Sequence, residues 1–220
     1  MIARMYQGLI RLLIGIAYTL LVVLITLLVQ ENSTGQRAGI SSAPIAERRQ
    51  PLANQGSIQV FFSPKGGATA AIIEAIGGAQ NTILVAAYSF TSSDIAQALL
   101  AAKKRGLKIK IILDKSQMSQ KYSAATFFSN QGFDLRIDVK HAIYHNKFMI
   151  IDEKTIITGS FNFTKAAEFK NAENLLIIKN NQNLAERYKD AWIHDWQQAL
   201  SKEDYLKKKP PNHSHKNVNE

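Results

Sequence analysis

The stretch that most constrains this chain is His145 to Asn162, HNKFMIIDEKTIITGSFN. FMIID and TIIT are short apolar runs rich in branched residues, which predicts two strands, with Asp152, Glu153 and Lys154 as the turn between them. Side chains two apart on a strand share a face, so His145 and Lys147 are expected side by side. Ser160 and Asn162 repeat that spacing past the second run, and a hairpin brings the two pairs together. An imidazole, a cation, a hydroxyl and an amide at one place can handle a phosphate group.

Written out, the ordered pattern is H-x-K-x4-D-x6-G-S-x-N. It resembles the signature of the phospholipase D superfamily. The segments FFSPKGGATAAIIEAI, ILVAAYSFTSSDIAQALLAAKKRG and TGSFNFTKAAEFKNAEN are similar to small bacterial nucleases of that superfamily. The resemblance runs from about Ser57 to Leu200.

The chain has 220 residues and no cysteine, so disulfides and thiolate metal sites are excluded. Five of its ten net positive charges fall in residues 51–200. A moderately basic domain suits a polyanion such as nucleic acid, or an anionic membrane surface. Residues 12–29, LLIGIAYTLLVVLITLLV, carry no charge and follow Arg4 and Arg11. That run is long for a secretory signal and just long enough to span a bilayer. Residues 1–30 are therefore expected to be an uncleaved anchor, with a cleaved signal peptide as the alternative. Either way the rest of the chain is exported, to the periplasm or the outer face of the inner membrane. Residues 31–56 read as a flexible linker and 57–200 as the catalytic domain. Residues 201–220, ending LKKKPPNHSHKNVNE, read as a disordered basic tail, with His213 and His215 as a weak H-x-H.

Within 57–200, apolar runs alternate with segments of helical periodicity. This predicts an α/β fold, a mixed β-sheet flanked by helices on both faces. Lys65-Gly66-Gly67 reads as a turn, since the rest of a phosphate-loop pattern is absent. ILVAAYSF reads as a strand covered on both faces, and Ser92 lies in a run suited to capping the next helix. Lys108 and Lys110 alternate with apolar neighbours, as on a half-exposed strand. Ala185, Tyr188, Trp192 and Trp196 fall on one stripe of the last long helix and read as packing. His194, on the same helix, reads as a surface histidine.

The resemblance implies the rest. It implies a phospholipase D-like sandwich and catalysis on phosphodiesters. The superfamily's catalytic centre is built from two such motifs, and this chain has one, so a homodimer is expected to complete the site. His145 is expected to form a phosphohistidine, with His145 of the partner subunit protonating the leaving oxygen and then activating water. Lys147, Ser160 and Asn162 are expected to bind the phosphate. Glu173 is expected to orient the His145 ring. Asp152 belongs to the motif, but its turn position suggests a structural role. His141 has no assigned chemistry beyond substrate contact. No cofactor is expected, and the absence of metal-ligand spacing predicts metal-independent catalysis. Two activities compete: a nonspecific endonuclease acting on DNA, and perhaps RNA, and a phospholipase D. No apolar loop suited to lipid insertion is evident in 57–200, which favours the nuclease.

Overall fold

The computed structural model of the chain describes residues 56–119 and 123–208. The expected membrane span, most of the linker and the tail beyond residue 208 lie outside the described residues.

Eight strands form one sheet in the order β1-β7-β6-β5-β2-β3-β4-β8. The elements are β1 (Ile58–Phe62), α1 (Ala68–Gly77), β2 (Thr82–Ala87), α2 (Ser93–Lys104), β3 (Lys108–Asp114), α3 (Ala125–Asn130) and β4 (Asp134–Asp138). They continue as β5 (Lys147–Ile151), β6 (Thr155–Gly159), α4 (Lys165–Phe169), β7 (Asn174–Ile178), α5 (Gln182–Gln198), β8 (Leu200–Ser201) and α6 (Lys202–Lys208). β2, β3 and β4 are parallel neighbours, and the remaining pairings are antiparallel. This is the mixed sheet that the alternation of runs predicts.

The covering is two-sided because the strands alternate. Ile83, Val85, Ile111, Met149, Ile151, Ile157 and Ile177 pack on one face with Ile72 and Ile76 of α1, Leu99 of α2 and Phe128 of α3. Ala86, Ile112, Phe148, Ile150 and Ile156 pack on the other with Ala185, Trp192 and Trp196 of α5. The Trp192 indole N–H also donates to the Val85 carbonyl at 2.9 Å. Local signals agree with these positions. Ser92 caps α2 by accepting from the Ile95 N–H, and Asn181 caps α5 by accepting from Leu184.

One boundary differs from the sequence reading. Residues 201–208 are not tail: Leu200 and Ser201 pair with Ile137 and Arg136 as the last strand, and α6 follows. Ser201 starts that helix, since its Oγ accepts from the Asp204 N–H and donates to the Asp204 carboxylate. This is a local serine N-cap within a stretch whose composition reads as solvated. Tyr205 anchors the helix against the core.

Strand directions place one set of ends on a single rim. β1, β2, β3, β4 and β6 finish there, and β5 and β7 begin there. That rim therefore gathers Ser63, Tyr88, Lys115, Val139, Lys147, Ser160 and Glu173.

Candidate active site

Lys147 is the first residue of β5 and pairs with Ala87 of β2. It is buried, and its Nζ donates to the His145 carbonyl at 2.7 Å. Burial pushes its pKa below the ordinary lysine value, and the Glu173 carboxylate pulls it back up. The ammonium also lies over the Tyr88 ring, 5.1 Å from its centroid, which offsets part of the lost hydration. Tyr88 holds His145 from the same side, with ring centroids 4.6 Å apart. His145 itself is exposed, and among the described residues no side chain hydrogen-bonds its imidazole. The geometry is a reachable imidazole beside a fixed, partly desolvated cation.

The loop that delivers His145 is tied down by two buried carboxylates. Asp114 ends β3 and accepts from the Tyr144 N–H at 2.8 Å. Asp138 ends β4 and accepts from the His141 N–H, while one oxygen lies 3.0 Å from His141 Nδ1. Lys115 adds a bond to the His141 carbonyl. The segment 139–146 is thus clamped from two neighbouring strand ends.

The remaining motif residues take several roles. Ser160 and Glu173 meet: the Ser160 hydroxyl donates to Glu173 Oε2 at 2.6 Å and accepts from the Asn174 N–H. Ser160 was expected to donate to phosphate, but its one proton is spent on Glu173. Glu173 was expected to orient the His145 ring, yet its oxygens accept from Ser160 and Asn171. The reason is register. Gly159 pairs with Leu175, so Ser160 falls opposite Asn174, and Glu173, one residue further on, comes within reach of the Ser160 hydroxyl. Gly159 has φ of 149°, and a Cβ there would lie 2.3 Å from the Asn174 carbonyl oxygen, so only glycine permits this close approach. Asn162 sits between two core side chains, Phe161 and Phe163, and its Oδ1 is buried without a protein partner.

Asp152 lies at the opposite end of β5 from Lys147. Its carboxylate accepts from the N–H groups of Gln80, Asn81 and Thr82 at 2.7–2.9 Å. Burial works to raise its pKa, but those three donors and Lys154 outweigh it and hold the carboxyl below its ordinary value. Asp152, a member of the motif that could be counted with its catalytic residues, instead fastens the α1–β2 junction to the hairpin at the far end of β5 from Lys147.

A cavity of about 430 Å³ opens beside His145 and Lys147, roofed by α5. Arg187 and Asp195 of α5 line it, and neither stands out in the sequence. The Asp195 carboxyl has its pKa raised by burial, against the pull of Tyr144 and His141. Tyr88 was also missed. Its only signal is its place at the end of the apolar run ILVAA. Among the described residues no group of three His, Asp or Glu side chains could hold a metal ion.

A mixed sheet that presents an exposed histidine and a buried lysine at one rim is suited to handling a phosphodiester. The family described as "Cardiolipin synthase, PLD-like domain" matches residues 72–196. The chain is 41% identical over 143 residues to a phospholipase D of Rickettsia typhi, covering 65% of this chain and 70% of that one. It is 38% identical over 164 residues to the phospholipase D of Rickettsia felis, covering 74% and 82%. Among solved structures it is similar to Nuc from Salmonella typhimurium, a phospholipase D family member, at 44% identity and a TM-score of 0.64, covering 66% of this chain and 97% of that one. The chain belongs to the phospholipase D superfamily, and it is a phosphodiesterase of that superfamily.

Proposed function

We propose that the protein cleaves phosphodiester bonds of nucleic acid, as an exported, metal-independent endonuclease working through a phosphohistidine. The observation that carries this reading is the pairing of exposed His145 with buried Lys147 on a rim that also presents Lys65, Lys115 and Lys140. Neighbouring strands are about 4.8 Å apart, so these cations are spread along the rim on the scale of several nucleotides. The resemblance to small bacterial nucleases points the same way.

The chemistry follows from the residues. A His145 ring nitrogen attacks phosphorus, forming an N–P bond as the P–O bond to the leaving group breaks. Lys147 meets the negative charge on the nonbridging oxygens. His145 of the partner subunit donates a proton to the leaving oxygen. It then takes one from the water that cleaves the N–P bond and restores the first histidine. One chain supplies one histidine, so this route needs a homodimer. The dimer is supported by the apolar side chains around the rim: Phe62 is 65% exposed, Ile143 58% and Phe169 57%. Residues 12–29 would hold the enzyme at the membrane.

Those same side chains favour a second reading, a phospholipase D. The sequence reveals no apolar loop, yet Val139 and Ile143 stand exposed in the segment leading to His145. Either a second copy or a lipid surface would cover them.

The deciding experiment incubates the chain with EDTA and plasmid DNA, RNA or phosphatidylcholine vesicles, beside a His145→Ala control. Cleavage of DNA that the control lacks is expected. Lipid hydrolysis with intact DNA would reverse the ranking, and activity retained by His145→Ala would remove the phosphohistidine.

A further inference from the structure

Asp138, the last residue of β4, is fully buried, and a carboxylate taken out of water is costly unless its partners repay it. Among the described residues its carboxylate bonds one residue, His141. One oxygen accepts from the His141 N–H at 3.1 Å, and the other lies 3.0 Å from ring Nδ1. The imidazole itself is not buried, since its side chain is 46% exposed. Backbone bonds suffice to clamp the loop, as Tyr144 shows by donating its N–H to Asp114. The further bond at Nδ1 does something else: it fixes the tautomer and the orientation of an exposed ring. Nε2, on the other side of that ring, has no partner among the described residues.

This ring stands on the catalytic rim. His141 is four residues before His145, so their Cα atoms are at most about 14 Å apart. Lys140 is its chain neighbour, and Lys115, just past β3, donates to its carbonyl at 2.9 Å. A polynucleotide with its scissile phosphate at Lys147 has further phosphates to place along this rim, past the ends of β2, β3 and β4. Phosphate oxygens only accept hydrogen bonds. Nδ1 is committed to Asp138, so Nε2 serves a phosphate only when it also carries a proton. The bond is then charge-assisted, and the neutral ring cannot make it. The charged and titratable groups around the ring are Asp138 from β4, Lys115 from the segment after β3 and Asp195 from α5, with Lys140 and Tyr144 on its own loop.

We propose that His141, oriented by Asp138, is a phosphate contact for the polynucleotide on the β4 side of the catalytic pair, made in the imidazolium form. The assignment rests on the nucleic-acid reading above. It makes His141 a specificity-determining residue, because a substrate with one phosphate has nothing left to offer it. It also gives polynucleotide binding a pH dependence separate from that of the chemistry.

The test is steady-state kinetics at pH 6 and pH 8 on the full 220-residue chain in mild detergent. The substrates are a short oligodeoxynucleotide and bis(p-nitrophenyl) phosphate, which has a single phosphate. At pH 6, His141→Gln is expected to raise the oligonucleotide KM about ten-fold relative to the change for the small diester. That ratio should shrink at pH 8 as the imidazole of the unmodified chain loses its proton. His141→Arg supplies a fixed cation and should restore the KM at both pH values. If His141→Gln melts early, His141→Asn carries the same comparison. Equal KM changes for both substrates would mean that the Asp138–His141 pair only holds the loop, and would overturn the contact. No change for either substrate, or a ratio that is the same at both pH values, overturns it too. If the unmodified chain leaves the oligonucleotide intact and hydrolyses phosphatidylglycerol vesicles, the nucleic-acid reading itself fails and the contact fails with it.

Discussion

Lys147 shows how one side chain can be both costly and necessary. Its charge is partly removed from water, so its pKa falls from the ordinary lysine value, yet the reaction needs it charged. The alkaline limb of kcat/KM for the free enzyme should therefore lie below the range of an exposed lysine. A pH–rate profile on a small diester checks this, and a limb at or above that range would show that Lys147 does not control it. Asp152 is the opposite case, a carboxylate kept charged for structure. Its folded pKa is depressed, so its stabilisation is present above the unfolded value and is lost as pH falls through the folded one. Asp152→Ala leaves three backbone N–H groups without that acceptor. It should cost about 3 kcal/mol, scaled from charge-assisted bonds of a half-buried group. Denaturant unfolding at pH 7 measures this, and the difference from the unmodified chain should shrink toward pH 3.

At the scale of elements, the β5–β6 hairpin sets the depth of the site and α5 sets its roof. Trp192 fixes that roof: it is 2% exposed, stacks on Trp196 at 4.8 Å and donates to the Val85 carbonyl. Trp192→Ala opens a large cavity and removes the indole bond to that carbonyl. A loss of 3–5 kcal/mol is expected, on the order of other buried aromatic truncations, and thermal or denaturant melting reads it. The same variant should weaken substrate binding, since the helix it anchors roofs the cavity beside His145 and Lys147. The delivery loop 139–146 has a different support, the buried Asp114 and Asp138. Their place at adjacent strand ends explains how an irregular segment with exposed Ile143 can still hold His145 in position.

For the whole molecule, the question is what covers the apolar rim. Phe62, Ile143 and Phe169 flank the catalytic end, and a single chain leaves them in water. If a second copy covers them, Ile143→Asp should shift the protein to monomer in sedimentation and remove activity together, with the melting temperature of the fold little changed. A monomeric unmodified chain with full activity would exclude the two-histidine mechanism.

The hairpin, the alternation of strands and helices, the packing stripe of α5 and the pair His145–Lys147 were legible in the sequence. Each rests on local periodicity or on a spacing of two residues, although His145 itself lies in the loop just before β5. The resemblance supplied the family. The structure alone decided the rest, because register and long-range approach carry no local signature. Ser160 meets Glu173 only because β6 and β7 align them. Asp152 serves Gln80, Asn81 and Thr82 across 70–72 residues of chain. Tyr88, Arg187 and Asp195 join the site only when β2 and α5 are laid beside β5. Spacing along the chain determines which residues share a face, whereas packing between elements determines what that face meets.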